Sequence, residues 1–430
     1  MSDLPRVVVS GMSVLTALGE DPGSLLDNLL AGRSGIRRWS SFDREIATKV
    51  GGSLEGFDPR PRLAALANSL TEAPRLRLRR ASNRLPWSTA LSVLMAGRAW
   101  QDAGLFALPA GEDGETAIIV GGHNIGQNYY YNNFRQFEQD PDHIDVQFGL
   151  AGLDTDHAAV ASEVLGIRGP GYSVGGACAS GALALRAAFN EIRFGDAERV
   201  VVLAPVLDYS PLELHALALM QAVSQRSFND HPEQASRPFD RRREGFVPAH
   251  GGACLVLERA DLAQGRGAEP LCEVLAVAAR SDASRQPSPQ EDGQTRTIQA
   301  ALREARLQPG DIDFICAHAT STPLGDLTEA RSIRGVFGAH LERLKVNAPK
   351  SMLGHTCWSA PLVELVAAIA QMRAGQLHPT INLDDPDPEL DFDVCAAGPV
   401  VHPVRYLLKN AFGFGGNNCV AILGRWEPRP

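Results

Sequence analysis

Four side chains suited to covalent catalysis occur in short, polar and glycine-rich segments of this 430-residue chain. Cys178 lies in Gly-Gly-Ala-Cys-Ala-Ser-Gly, and His318 lies in Ala-His-Ala-Thr-Ser-Thr. Lys350 and His355 share the segment Pro-Lys-Ser-Met-Leu-Gly-His. A thiol with histidines and a lysine downstream is a candidate nucleophile with partners for proton transfer and charge stabilisation. This set indicates an enzyme that forms a covalent intermediate on sulfur.

The elements around Cys178 would hold its thiol at a strand-to-helix junction. A predicted strand at 172–174 precedes it, and a run without proline or glycine, 182–194, follows it and ends at Gly195. The N-terminus of a helix offers unpaired N–H groups and a partial positive charge, which stabilise a thiolate or an oxyanion. We therefore expect the thiolate form of Cys178 to be favoured.

Elsewhere, strand-like apolar runs alternate with helical ones. A second helix begins at Pro361, where a missing N–H costs nothing, and ends at Gly375. Alternation of this kind predicts an α/β fold with a parallel sheet between helical layers. Two further segments, 123–137 and 287–295, are predicted as loops, the first rich in aromatic residues and the second polar. The predicted strands are 7–9, 117–120, 200–203, 253–257, 271–278, 312–317 and 419–423.

Composition limits the possible classes of protein. With 44% hydrophobic and 21% charged residues the chain is typical of a soluble globular protein, and a net charge of −9 argues against nucleic acid as a partner. The segment 362–372 is too short to span a membrane, and no signal peptide is recognisable. Seven cysteines without a C-x-x-C pair suggest neither a metal site nor a disulfide framework, which fits the cytoplasm.

Five ordered segments resemble the motifs of the β-ketoacyl-acyl-carrier-protein synthases, the ketosynthases of the thiolase superfamily. The resemblance begins with the opening strand, helix and turn at 7–35. It implies a thiolase fold, in which two duplicated α/β halves stack as five α-β-α-β-α layers. The halves would be 1–262, with the nucleophile, and 263–430, with the histidines and lysine, joined near 259–269. The other matching segments are 236–240 with 245–247, 318–326, 347–355 and 412–418.

The resemblance also implies roles for individual residues. Cys178 would accept an acyl group from a carrier-protein thioester, with the amides of Cys178 and Phe414 as the oxyanion hole. Phe412 and Phe414 would gate the acyl pocket. His318 and His355 would donate N–H groups to the thioester carbonyl of a malonyl unit, and the enolate left by loss of CO₂ would attack the acyl group.

Further residues would support this centre. Lys350 would help to set the protonation and orientation of the histidines, and a buried lysine needs a carboxylate, for which Glu364 is the candidate. Asp326 would be a supporting residue in the same motif as His318. Thr320 and Thr322 would hydrogen-bond the phosphopantetheine arm of the acyl carrier protein, and no cofactor would be bound by the protein itself.

Two surface features predict macromolecular partners. The aromatic residues of the segment 123–137 suit either a core or an interface, and the family resemblance implies the interface of a homodimer. A basic segment is either a solvated helix face or a docking patch for the acidic carrier protein. Its arginines are Arg75, Arg77, Arg79 and Arg80.

Departures from the family pattern leave the reaction open. Ala319 replaces the usual glycine after the first histidine, and Thr356-Cys-Trp358 follows His355 where small residues are usual. The segment Pro248-Ala-His250 stands where an acidic residue is common. These features resemble stand-alone polyketide ketosynthases, and 122–124, 153–156 and 174–176 resemble malonyl-carrier-protein decarboxylases that supply acetyl units for β-branching. Those enzymes typically carry serine in place of Cys178.

Three functions therefore remain. Condensation, with Cys178 holding the growing acyl chain, uses every residue of the set. Decarboxylation alone needs the histidines and not the thiol. A non-catalytic subunit of the chain-length-factor type would need neither, and the retained nucleophile argues against it.

Overall fold

Strands and helices alternate along the computed structural model, which describes residues 4–40, 46–108 and 114–428. Its strands are β1 (Val7–Thr16), β2 (Ile36–Arg38), β3 (Val50–Gly52), β4 (Thr116–Gly121), β5 (Gly171–Val174), β6 (Arg199–Ala204), β7 (Gly251–Arg259), β8 (Cys272–Ser281), β9 (Phe314–Cys316), β10 (Lys345–Asn347), β11 (Gln376–Leu377), β12 (Val400–Val401), β13 (Tyr406–Gly413) and β14 (Asn417–Gly424). Its helices are α1 (Pro22–Leu30), α2 (Pro59–Ser69), α3 (Glu72–Ala81), α4 (Trp87–Asp102), α5 (Gln127–Gln139), α6 (Phe148–Ala151), α7 (Asp156–Leu165), α8 (Ser180–Phe194), α9 (Pro211–Leu219), α10 (Ala260–Gly265), α11 (Glu291–Ala305), α12 (Pro323–Phe337), α13 (Lys350–Leu353) and α14 (Ala360–Ala374). None of the helices in these ranges combines the length and apolar character that crossing a bilayer requires.

The main sheet has the same five-strand pattern twice. From its two outer edges inward, the strands follow the order β5-β4-β6-β7-β1 and β10-β9-β13-β14-β8. In each half the outer three strands are parallel and the inner two antiparallel, and β1 joins β8 where Val7 faces Val274. The predicted all-parallel sheet is thus wrong in its inner strands. The short turn between β13 and β14 permits only an antiparallel pair.

Side chains of the sheet alternate between two apolar layers. In β4, Ala117 and Ile119 face a central core, whereas Ile118 and Val120 face α4 and α7. The central core contains α8 and α14, and the other face of the second half packs on α11 and α12. Outer helices, half-sheet, central helices, half-sheet and outer helices make the five layers that the family resemblance implies.

The duplication extends to the turns that precede the central helices. A short 3₁₀ turn, Ala177–Ala179, leads into α8, and an equivalent turn, Cys357–Ser359, leads into α14. Each turn begins at a non-glycine residue of positive φ, +49° at Ala177 and +50° at Cys357. By this correspondence, Trp358 is the second half's counterpart of Cys178.

Both segments predicted as loops turn out to contain helix. The aromatic segment forms α5, which begins at Gln127, and the polar one enters α11 at Glu291. Acidic residues in the first turn of α11, Glu291 and Asp292, favour a helix N-terminus electrostatically. The prolines and serine that precede them, in 287–289, favour a turn, and the sequence analysis therefore predicted a loop for the whole segment.

Three buried histidines lie outside the residues singled out for catalysis. His157 Nδ1 lies 2.9 Å from the Ser92 hydroxyl, His250 Nδ1 accepts the Leu54 amide at 3.1 Å, and His378 Nδ1 lies 2.9 Å from the Pro379 carbonyl. Burial lowers the pKa of each to about 4. Each is therefore neutral in the fold at pH 5, whereas an exposed histidine with a pKa near 6.5 is mostly charged there.

The stability of the fold should consequently fall as pH drops below about 6.5, because these histidines then bind protons in the unfolded chain but not in the folded protein. Protonation of the buried Asp208, whose pKa burial raises to about 7, acts in the opposite direction. We predict that His157→Gln reduces the slope of unfolding free energy against pH, averaged between 6.5 and 5, by about 1 kcal/mol per pH unit. Urea unfolding across this pH range measures the slope.

The matched control is His215→Gln, which changes an exposed histidine on α9 and should leave the slope unaltered. An unchanged slope in the His157 variant would contradict the assignment of a neutral buried imidazole.

Candidate active site

One cleft brings together the residues that the sequence analysis placed in separate motifs. Cys178 comes from the first half of the fold, and His318 and His355 come from the second. The cleft is also lined by Thr320, Thr322, Phe412 and Phe414.

Cys178 sits in the turn that leads into α8, with its side chain 6% exposed. The amides of Cys178 and Phe414 both hydrogen-bond towards its sulfur and favour the thiolate. Burial outweighs them and raises the pKa of the thiol to about 12. The expected resting thiolate is therefore wrong, because the helix terminus and two N–H groups stabilise less charge than desolvation penalises. The resting group is a neutral thiol facing two N–H donors.

The turn between β13 and β14 brings the Phe414 amide to this position. An ideal Cβ at Gly413 would lie 2.5 Å from the Gly176 carbonyl oxygen. The strand can therefore approach the cysteine turn this closely only if residue 413 is glycine. Gly415 and Gly416 continue the turn at φ +77° and +73°, a region that glycine enters without strain. The two amides are thereby fixed side by side, as an oxyanion hole requires.

The two histidines face each other across the cleft. Their ring centroids are 5.6 Å apart with the planes at 86°. Phe412 packs against His318 at 5.8 Å, and Phe246 packs against His355 at 5.1 Å. Within the described ranges, His318 Nδ1 and both ring nitrogens of His355 are buried without a hydrogen-bond partner. These nitrogens are free to bind a substrate oxygen.

A buried charge cluster lies beneath the histidines. The Lys350 ammonium contacts Glu364 at 2.5 Å, the pair that the sequence analysis suggested, and donates to the His318 carbonyl at 2.5 Å. The other Glu364 oxygen lies 2.7 Å from the ammonium of Lys409. All three charged side chains are at most 2% exposed.

Electrostatics in this cluster keep the imidazoles neutral. Burial, followed by the positive charge of Lys350, holds the pKa of His318 and His355 well below their usual range. Burial also lowers the pKa of Lys350, which the Glu364 carboxylate opposes. At neutral pH each histidine therefore retains one N–H and carries no charge.

Sequence reasoning missed Lys409 and Glu329. Glu329 accepts the amides of His318 at 2.8 Å and Ala319 at 2.6 Å, and the Asn410 side chain at 2.8 Å. The signal for Lys409 was a lone charge inside the apolar strand β13, where a buried partner is required. Glu329 carried no such signal, because α12 also exposes charged residues.

Two carboxylates hold the loop from His318 to Thr322 in an unusual backbone conformation. Glu329 binds one end, and Asp326 accepts the Ser321 amide at 3.0 Å and the Phe239 amide at 2.9 Å. Ala319 and Ser321 have φ of +29° and +68°, which side chains rarely adopt. Asp326 is fully buried, and burial raises its pKa to about 6.

Two hydroxyls and a loop also line the cleft. The hydroxyls of Thr320 and Thr322 lie 3.0 Å apart, and residues 286–289 form another part of the lining. The sequence analysis treated part of this segment as an ordinary surface loop. Its place at the cleft depends on the packing of α11 and β14, which sequence spacing does not report.

The basic segment lies on α3, away from the residues that line the cleft. Arg77 Nε donates to the Val164 carbonyl at 3.1 Å, whereas Arg79 and Arg80 are exposed, and Arg75 is half-buried. Within the ranges that the structure describes, no group of three or more His, Cys, Asp or Glu side chains is arranged to hold a metal ion.

Comparison with solved structures finds the same architecture. The ishigamide ketosynthase/chain length factor superposes with a TM-score of 0.86 at 27% identity, covering 99% of this chain and 100% of that one. AntDE:AntF, a type II PKS acyl-carrier protein in complex with its ketosynthase bound to the hexaketide, gives a TM-score of 0.84 at 25% identity, with coverage of 99% and 100%.

Comparison of sequences agrees over the full length. The malonyl-ACP decarboxylase PksF of polyketide biosynthesis in Bacillus subtilis is 30% identical over 426 residues, covering 99% of this chain and 98% of the relative. The chloroplastic 3-oxoacyl-(acyl-carrier-protein) synthase I of Hordeum vulgare is 33% identical over 434 residues, covering 98% and 90%. Residues 5–263 match the N-terminal domain and 271–384 the C-terminal domain of beta-ketoacyl synthase. The chain belongs to the β-ketoacyl synthase family.

Proposed function

We propose that this protein is an acyltransferase that condenses a malonyl unit, with loss of CO₂, onto an acyl group held on Cys178. The observation that carries the proposal is the shared cleft, where a thiol facing two amide donors meets two neutral, unpaired imidazoles. The first arrangement suits acyl transfer and the second suits enolate formation.

In the first step, the Cys178 sulfur attacks the carbonyl carbon of an acyl thioester. The carbonyl oxygen becomes an oxyanion between the amides of Cys178 and Phe414. Because the pKa of the thiol is raised to about 12, its proton must leave as the carbon–sulfur bond forms. A neutral cleft imidazole accepts that proton and returns it to the departing thiolate of the carrier, so that no net charge is left in the cleft.

In the second step, a malonyl thioester binds with its carbonyl oxygen at His318 and His355. Their N–H groups stabilise the enolate that forms when the bond to the carboxylate breaks and CO₂ leaves. The enolate carbon then attacks the acyl carbonyl on Cys178, the carbon–sulfur bond breaks, and the thiolate that departs takes a proton from solvent. Lys350 and Glu364 act as positioning residues in this scheme, through the His318 backbone and the charge near both rings.

The second candidate is decarboxylation of a malonyl thioester without condensation. It is favoured by the resemblance to PksF and by the fact that the histidine pair alone suffices for enolate formation. We prefer condensation because Cys178 and both oxyanion amides are retained. The same retention argues against the non-catalytic alternative.

We further propose that the substrates arrive on an acyl carrier protein, as in the AntDE:AntF complex. Thr320 and Thr322 line the cleft, where they would bind the amides of a phosphopantetheine arm. Arg79 and Arg80 are the exposed arginines of α3 suited to the acidic carrier surface, since Arg77 already binds backbone, and Arg79 also donates to the Asn68 side chain at 3.3 Å. The cytoplasmic location stays a prediction from the cysteine pattern.

A homodimer would cover the apolar face of α5. Tyr130, Phe134 and Phe137 follow one another at helical spacing and are 42%, 60% and 54% exposed. Leu150 lies in α6 and Leu153 lies just after that helix ends. They extend this surface at 70% and 52% exposure. An apolar surface of this kind is typical of an obligate interface, and we assign it to a second copy of the chain.

Separate variants should distinguish decarboxylation from condensation. His318→Ala and His355→Ala should each lower malonyl decarboxylation by roughly 100- to 1000-fold, the usual loss for an oxyanion donor. Cys178→Ser should retain decarboxylation and lose condensation. Intact-mass analysis of malonyl-carrier protein, incubated alone and then with an acyl donor, follows both reactions, with Cys395→Ala as a control thiol outside the cleft.

Two outcomes would count against this scheme. Wild-type protein that decarboxylates but never condenses would establish the second candidate. Loss of decarboxylation in Cys178→Ser to the level of the histidine variants would refute the division of roles.

The second prediction concerns carrier-protein docking. Reversing Arg79 and Arg80 to Glu should raise the apparent KM for malonyl-carrier protein roughly three- to tenfold, since exposed ion pairs are each worth up to about 1 kcal/mol. The difference should shrink with added salt. Reversing the exposed Arg303 and Arg306 provides a charge-matched control, and equal effects of the two double variants would refute a specific patch.

The third prediction concerns assembly. Wild-type protein should be a dimer by light scattering, and Phe134→Glu should shift it towards monomer because a buried unpaired carboxylate is costly. Phe194→Glu changes an equally exposed phenylalanine at the end of α8 and should leave the dimer intact. A monomeric wild type, or a Phe134→Glu dimer, would contradict the assignment.

A further inference from the structure

Cys178 has an open side and a closed side. The open side is the cleft, which Thr320 and Thr322 help to line. We call the closed side the apolar cluster near Cys178 that includes Tyr209, Leu214, Phe246 and Cys357. Phe246 belongs to both, because it lines the cleft and also packs in the cluster. An acyl group on Cys178 must extend towards the closed side, since the malonyl unit occupies the open one.

The first barrier on the closed side is the pair Tyr209 and Cys357. The Tyr209 hydroxyl lies 3.0 Å from the Cys357 sulfur, and both side chains are at most 3% exposed. Tyr209 is held further by ring contacts with Trp39 and His250, at 6.3 and 5.6 Å. Both groups lie close enough to the Cys178 sulfur to interact with it electrostatically.

The second barrier is Trp358, the counterpart of Cys178 in the duplicated fold. Its ring stacks on His123, with centroids 4.5 Å apart and planes at 22°. Its carbonyl would lie 3.2 Å from an ideal Cβ on Gly181, one turn beyond Cys178 in α8. The first turns of α8 and α14 therefore abut, and the Trp358 side chain packs against the apolar cluster that holds Tyr209 and Cys357.

The closed side also contains buried polar atoms to which the methylene groups of a long alkyl chain could not hydrogen-bond. In the described part of the chain, Trp358 Nε1 and the Thr356 hydroxyl are buried and make no hydrogen bond. The Tyr209 hydroxyl and Cys357 thiol bond to each other. Inserting a chain of methylene groups between these side chains would require Tyr209 to leave its ring contacts with Trp39 and His250, or Trp358 to leave its stack on His123.

We infer that Cys178 accepts only short acyl groups, of about two or three carbons, and that Trp358 sets this limit together with Tyr209 and Cys357. The inference rests on the proposed function and specifies its acyl substrate. It makes this protein an enzyme for the first extension of a short starter unit. An enzyme that supplies acetyl or propionyl thioesters must then act before it.

The test uses N-acetylcysteamine thioesters of acetyl, butyryl, hexanoyl and octanoyl groups with the full-length protein. Acylation of Cys178 is followed by intact mass and located by peptide mapping. Wild-type protein should take acetyl at least about tenfold faster than hexanoyl, the discrimination expected of a closed pocket. Trp358→Ala should raise the ratio of hexanoyl to acetyl rates by about tenfold or more.

Controls separate the size limit from other effects. Trp426→Ala removes an indole that packs against Arg6 and should leave the rate ratio as in wild type. Trp358→Leu, a smaller perturbation, should raise the ratio in the same direction if Trp358→Ala does not fold. Octanoyl transfer as fast as acetyl in wild type would overturn the size limit and leave the proposed function standing. Absence of acylation by every thioester would overturn both.

Discussion

A single buried carboxylate, Glu364, makes the centre of this protein possible. It bonds two ammonium groups, Lys350 and Lys409, that would otherwise be too costly to bury. Lys350 in turn binds the His318 carbonyl and places positive charge near both imidazoles. Burial and the charge of this cluster together keep both rings neutral, and Lys350 joins Glu329 and Asp326 in positioning the histidine loop. Removing the charge of Glu364 would leave the ammonium groups of Lys350 and Lys409 buried without their carboxylate partner.

The duplicated fold explains why this cluster meets a cysteine. The central helices α8 and α14 both begin at the same place between the half-sheets, so turns from the two halves face each other. One turn presents Cys178, and its counterpart presents Trp358. His318 lies in the segment that follows β9, and His355 lies in the segment that follows β10. Both segments contribute to the same cleft. The two similar halves thus differ in what they bring to the cleft, a cysteine from the first and two histidines from the second.

Burial acts on the acid–base groups of the cleft in one consistent way. Desolvation penalises the charged form of every group, so it raises the pKa of the thiol and lowers that of the imidazoles. The resting site therefore holds a neutral thiol and neutral histidines above a charged cluster. Chemistry here requires protons to move with bond formation, because the two amides offset only part of the cost of burying a thiolate.

The sequence alone determined the residues of the centre, because catalytic motifs are local. Cys178, His318 and His355 were each recognisable from a few neighbours, and Pro361 and Gly375 marked a helix that the structure places at Ala360–Ala374. Tertiary structure decided what depends on distant segments: the antiparallel inner strands, the helix α5, the roles of Glu329 and Lys409, and the raised pKa of Cys178. Spacing along the sequence reports only near neighbours in the chain. Strand direction, burial and charge pairing depend on residues that are distant in sequence and meet only when the layers pack together.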